Sequence, residues 1–148
     1  MNVETSILIK RPIEEVFTYM TDPAYQSQYD EGLKDIRYTP QGRVGLGTKI
    51  TEVRSFLGRK IETTMEVINY EPNRKYARTS LKPFPLTGSV TFTRDEKGVK
   101  VTWRWEGQPG GFFALAEPVV TANFRNSSET TLKRVKEQLE SGVIVRPN

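Results

Sequence analysis

Proton transfer in this chain falls to Asp, Glu, Lys and Tyr, because its 148 residues contain no histidine and no cysteine. That removes a Ser-His-Asp arrangement, a thiolate nucleophile, every imidazole metal site and any sulfur ligand for zinc. A remaining carboxylate or lysine needs burial or a neighbouring charge to bring its pKa toward neutrality before it can serve as acid or base. Asp30, Glu31 and Asp35 are close enough in sequence to be weighed as ligands for Mg²⁺ or Ca²⁺, but they follow no recognised spacing and read as a polar loop. Gly42-Arg43-Val44-Gly45-Leu46-Gly47-Thr48-Lys49 has the glycine content of a phosphate loop. It lacks the Gly-Lys-Ser/Thr order and leads into a strand, so no helix N-terminus faces a phosphate. It reads as a glycine-rich strand entry, and no metal or cofactor is expected.

The aromatic residues carry more information. Trp103 and Trp105 are two apart and share one face of a strand, and Met65, Val90, Phe92, Phe113, Val120 and Phe124 are expected to converge on the same space. Such a set either fills a dry core or lines a hollow, and apolar, aromatic-lined hollows of roughly 300–1,000 Å³ are typical ligand sites. The hollow is the preferred reading. The expected ligand contacts are Tyr29, Tyr38, Met65, Arg78, Phe92, Trp103, Trp105, Phe113, Val120 and Phe124. Among polar groups, Arg78, Tyr29, Tyr38, Thr63 and Asn123 are the candidates to orient a polar end. No catalytic residue is assigned outright. If the protein is an enzyme, Tyr29 or Arg78 polarises a carbonyl while a carboxylate moves a proton.

The elements that must position these residues follow from periodicity. Val3, Thr5, Ile7 and Ile9 alternate with polar neighbours, as in a strand with one buried face, with Leu8 the one apolar intruder. Pro12 opens a helix whose Ile13, Val16, Phe17 and Met20 share a face, and Asp22-Pro23 stops it. A second short helix is expected from there toward Gln28, with Tyr25 and Tyr29 stacked on one side. Six further strands are expected over 34–39, 48–56, 60–70, 75–81, 87–93 and 99–106, separated by turn residues such as Pro40-Gln41-Gly42 and Glu71-Pro72-Asn73. In the third of these, Ile61, Thr63, Met65 and Val67 oppose Glu62, Thr64 and Glu66, so one face is wet and the other must be covered.

The cover is C-terminal. From 112 to 140 the pattern is helical, with Phe113, Ala116, Val120, Phe124, Leu132, Val135 and Leu139 on a broad stripe. Pro118 falls in its first turns and is tolerated there or produces a kink. A helix of this length, about 43 Å at 1.5 Å per residue, spans a whole sheet. Gly142 ends it, and the tail 143–148 has no firm reading.

Net charge is +4, but the 22 basic and 18 acidic residues are interspersed, without the basic stripe and exposed aromatics that nucleic-acid binding needs. No segment approaches the roughly 18 apolar residues of a membrane span, and the amino-terminal residues lack the apolar core of a signal peptide. Together with the missing cysteines, this makes the cytoplasm the expected compartment, with 1–148 as one domain.

This element order resembles the helix-grip fold of the START-like (SRPBCC) superfamily, most similar to its polyketide cyclase/dehydrase-like branch. The likeness is carried by Ile7-Leu8-Ile9-Lys10-Arg11-Pro12-Ile13-Glu14-Glu15-Val16-Phe17 with Thr21-Asp22-Pro23, by Gly45-Leu46-Gly47-Thr48, by Glu66-Val67-Ile68-Asn69-Tyr70-Glu71-Pro72-Asn73-Arg74, and by the helix from Leu132 to Glu140. It implies an α+β fold in which a curved, seven-stranded antiparallel sheet wraps around a long C-terminal helix, with two small helices after the first strand. It also implies an apolar cavity serving a carrier or binding protein for a lipid-like, aromatic or polyketide-like ligand. A cofactor-independent cyclase or dehydratase is the alternative, and a protein-interaction module using the helix face or the loop Pro83-Phe84-Pro85 is the third. Many relatives have Trp where this chain has Tyr29.

Overall fold

The computed structural model describes residues 1–39, 43–56, 58–142 and 144, so the expected turn residues Pro40-Gln41-Gly42, residue 57 and most of the tail lie outside the described residues. β1 (Asn2–Ile9) leads into α1 (Ile13–Thr21) and a 3-10 turn (Pro23–Gln28), then β2 (Leu33–Thr39), β3 (Lys49–Phe56), β4 (Arg59–Glu71), β5 (Lys75–Ser80), β6 (Leu86–Asp95) and β7 (Gly98–Gly107). α2 (Phe112–Leu115) and α3 (Glu117–Ser141) follow. The seven strands form one antiparallel sheet in the order β1-β7-β6-β5-β4-β3-β2, with α3 as the long covering helix. This is the α+β helix-grip arrangement the element order implies.

Local chemistry accounts for the details. Asp22 caps the 3-10 turn by accepting a hydrogen bond from the Ala24 N–H at 3.0 Å. Because that segment is 3-10 rather than α-helical, Tyr25 and Tyr29 each pack on Tyr19, with ring centroids 5.2 Å away in both cases. Gly47 precedes β3 at φ +85°, a left-handed conformation that favours glycine, and donates its N–H to the Val67 carbonyl at 2.8 Å. The register of β4 against β5 shifts between Val67 and Asn69, a bulge that bends the sheet.

One expectation is corrected: the C-terminal helix is not continuous from 112. Ala116 leaves helical geometry (φ −110°, ψ 23°), and Pro118 stands in the first turn of a new helix, where its missing N–H costs nothing. Val120, Leu132, Val135 and Leu139 are buried along α3. They serve two separate apolar clusters. Leu132, Val135 and Leu139 join Ile9, Val16, Phe17, Ile50, Val67 and Val101 in the larger, while Val120 joins Phe84 and Leu86 in the smaller. Among the described residues no helix is long and apolar enough to cross a membrane.

Candidate functional site

Between the two clusters the covering helix stands off the sheet. From Phe124 to Leu132 is eight residues, about 12 Å of helix, and the stripe is broken there. In that interval Ser128 is the buried side chain and Thr131 is half-buried, while Asn126, Ser127 and Thr130 are exposed at the cavity rim, with Asn123 one turn earlier. Short polar side chains cannot fill the concavity of a bent sheet, and a cavity of about 650 Å³ remains. Its other walls are Met20 and Tyr29, the inner faces of β3 to β7, and the loop that carries Lys82 and Pro83.

The upper wall is apolar. Trp103 and Trp105 have ring centroids 5.4 Å apart, and Phe124 meets Trp105 edge-on at 5.3 Å. Trp105 donates its indole Nε1–H to Ser128 Oγ at 3.0 Å, and Ser128 donates in turn to the Phe124 carbonyl at 2.7 Å. Its cross-strand partner is Gly88, where an added Cβ would lie 2.6 Å from the indole ring. The absence of a side chain at 88 therefore sets the tilt of Trp105 across the cavity.

The floor is charged. Ile50, Glu52 and Arg54 alternate inward on β3, and Tyr76, Arg78 and Ser80 do so on β5. Glu52 is 1% exposed. It accepts hydrogen bonds from Arg54 Nη2 at 2.9 Å, from Arg78 Nη1 at 3.4 Å, and from Gln26 Nε2. Arg54 also holds Asp30 at 2.8 Å, and Gln26 reaches Asp30 at 3.0 Å. Burial pushes the Glu52 carboxyl up, but the charges of Arg78 and Arg54 and the hydrogen bonds from Gln26 and Arg54 outweigh it and hold it below the ordinary glutamate value. Glu52 is therefore a fixed anion near neutral pH, unsuited to donating a proton and weak as a base. The two carboxylates balance the two guanidiniums in charge. They do not balance them in hydrogen bonds, because Arg78 has five N–H donors and, among the described residues, only the long contact to Glu52. Its side chain keeps 14% of its surface exposed. That surface belongs to the cavity wall.

The structure distributes the sequence-predicted contacts unevenly. Tyr29, Met65, Arg78, Trp103, Trp105 and Phe124 line the cavity, as do Thr63, Val90 and Asn123. The other four are placed elsewhere. Phe92 lies deep in the larger cluster, edge-on to Phe17 at 5.1 Å, because β6 carries it past the cavity to where α1 fills the sheet. Tyr38, on β2, packs against that same cluster. Phe113 stacks on Phe84 at 5.6 Å, and Val120 is fully buried beside it, so both close one end of the cavity from behind. Tyr29 contributes its ring rather than its hydroxyl, which donates to the Met20 carbonyl at 3.3 Å. Burial holds that phenol well above its ordinary pKa. Asp30, Glu31 and Asp35 turn to three different arginines, Arg54, Arg134 and Arg37.

Glu52 and Arg54 escaped the sequence reading. Their signal was the alternation in Ile50-Thr51-Glu52-Val53-Arg54, where an inward Ile50 forces Glu52 and Arg54 inward. Val53 on the opposite face obscured it.

A curved sheet gripping a helix over a cavity with this mixed lining defines an α+β helix-grip class. The family model for "Polyketide cyclase / dehydrase and lipid transport" matches residues 1–140, and the chain belongs to that family. No curated protein matches it in sequence. Among solved structures it is similar to TTHA0849 from Thermus thermophilus, with a TM-score of 0.80 at 18% identity over 96% of this chain and 99% of the other. It is also similar to the di-domain ARO/CYC StfQ from the steffimycin biosynthetic pathway (TM-score 0.79, 15% identity), covering 96% of this chain and 52% of that one. A third similar structure is NE0264 from Nitrosomonas europaea, at TM-score 0.74 and 15% identity over 96% of each chain. At such identities the likeness is one of fold.

Proposed function

We propose that this protein binds a small, largely apolar molecule of lipid-like, aromatic or polyketide-like character in the cavity, as a carrier or binding protein. The observation that carries this reading is the interrupted helix stripe: polar residues replace the expected apolar ones where the cavity lies, so the space is built into the chain. The apolar body of the ligand lies against Met65, Trp103, Trp105 and Phe124. A hydrogen-bond acceptor on it, such as a carbonyl, takes the spare N–H groups of Arg78. Because the floor is already charge-balanced, a neutral acceptor fits it better than a carboxylate, which would face the fixed anion of Glu52. Burying about 300 Å² of apolar ligand surface at about 25 cal/mol/Å² gives roughly 7 kcal/mol before the costs of association, enough for micromolar affinity.

The same floor favours one second reading, a cyclase or dehydratase in which Arg78 stabilises negative charge developing on a substrate carbonyl oxygen. Glu52 is a poor proton carrier in that role, which is why binding stands first. The test is native mass spectrometry of the purified protein, followed by titration with naphthalene and with 2-acetylnaphthalene. Saturable binding of both is expected, with the ketone favoured in the wild type and not in Arg78→Met. Failure of either compound to saturate counts against a ligand cavity. An equal preference in both proteins removes Arg78 from the site.

A further inference from the structure

The end of the molecule beyond Phe84 carries apolar side chains that the cavity does not use. Leu115 is 90% exposed, Leu81 80% and Phe112 51%, and Val119 is exposed on the following turn. Phe112 and Leu115 are three apart on α2 and so project from one side of it. The loop bearing Leu81 joins α2 where Phe84 packs on Phe113. Large apolar groups gathered at one end of a molecule and held in water mark a contact surface.

Charge identifies what the surface meets. The segments that build this end, 58–60, 81–85 and 107–119, contain Arg59, Lys60 and Lys82 but a single acid, Glu117. Elsewhere the two signs are mixed. All three basic residues are exposed, and Glu117 lies 3.4 Å from the amino terminus, which neutralises it locally. Arg59 lies over the Phe112 ring, 4.4 Å from its centroid, so a cation rims the apolar tip directly. An apolar wedge with a basic rim is complementary to an anionic bilayer surface, where the wedge enters the acyl boundary and the cations remain at the headgroups. The patch also abuts the cavity: Lys82 and Pro83 belong to both, and Phe84 packs against Phe124 of the cavity wall at 6.2 Å.

We propose that the tip formed by α2 and the 81–85 loop docks the protein peripherally on anionic lipid surfaces, with the neighbouring end of the cavity turned toward the bilayer. This goes beyond the ligand reading and stands whether or not the cavity is filled. The test is flotation of the full chain with phosphatidylcholine vesicles made with and without phosphatidylglycerol, at low and high salt. The wild type is expected to float with the anionic vesicles at low salt and to release at high salt. The double variant Phe112→Ser/Leu115→Ser is expected to partition at least about tenfold more weakly, and Arg59→Gln, which removes the cation over Phe112, about fivefold more weakly. All altered side chains are exposed, and matching thermal midpoints establish that the variants are folded. If the serine variant is unstable, Arg59→Gln decides alone. No flotation of the wild type, or flotation equal in wild type and variants, overturns the proposal. So does a dimer in sedimentation that the serine pair dissolves while vesicles remain unbound, since the patch is then an interface between two copies.

Discussion

Replacing Glu52 by Gln tests whether the charged floor is a closed electrostatic unit. The substitution keeps the shape and removes one negative charge from a site 1% exposed. Two cations then lose a partner, but unequally. Arg54 keeps Asp30 at 2.8 Å, and its side chain is 30% exposed, so its share of the loss is screened and small. Arg78 loses the one carboxylate it pairs with among the described residues, at 3.4 Å, with only 14% of its side chain exposed. Breaking a buried pair typically costs about 3–5 kcal/mol, and the water that reaches Arg78 through the cavity places this case near the lower end, at about 3 kcal/mol. For a chain of this size that lowers the thermal midpoint by roughly 6–12 °C. Urea unfolding at neutral pH measures it, and the decisive comparison is a double-mutant cycle with Arg78→Met. If the unpaired cation is the cause, the double variant is more stable than the two single losses added together predict. A loss below about 1 kcal/mol for Glu52→Gln, or strict additivity in the cycle, refutes the reasoning.

The pH dependence follows from the same group. Because the folded-state pKa of Glu52 is depressed, its contribution is complete above the ordinary glutamate value of 4.5 and is lost as pH falls through the folded value below it. The stability gap between wild type and Glu52→Gln therefore stays constant down to that region and closes under more acid conditions; a gap that persists in strong acid contradicts the ionised Glu52. Gly88→Ala places a methyl 2.6 Å from the Trp105 ring, which must swing into the cavity and strain its bond to Ser128. Fluorophore affinity is expected to fall at least tenfold with a stability loss of about 1–3 kcal/mol, and unchanged affinity would remove Trp105 from the wall. Tyr29→Phe deletes one hydroxyl bonded at 3.3 Å to the Met20 carbonyl, so stability falls by about 1 kcal/mol and ligand affinity holds. A large loss of affinity there would mean the hydroxyl turns inward to the ligand.

Much of the fold was legible because each element carries its own periodicity. Val3, Thr5 and Ile9 step inward along β1 as their alternation requires, and the apolar face of β4 is covered as its charged opposite demanded. The break at Ala116 was not legible, since Pro118 fits a kink, a first turn or a new helix equally well. Of the cavity, the tryptophan pair was readable from spacing alone. Phe92 and Val120 were not separable from true wall residues, because inward facing is a property of a strand while position along the sheet depends on its curvature. Glu52 was hardest. A buried carboxylate runs against residue preference, and only the arginines brought by β5 and by the next inward position of β3 make it tolerable. The break in the helix stripe between Phe124 and Leu132 was visible in the sequence, but its meaning depends on how far the sheet bends away beneath it.

Both tryptophans of the chain line the cavity, which makes their indole N–H resonances two built-in reporters. The most direct measurement is an ¹H–¹⁵N correlation titration with 2-acetylnaphthalene. Saturable shifts of both indole signals at a single affinity are expected. Signals that stay in place up to the solubility limit of the ketone would mean that the space beneath α3 receives no ligand of this kind.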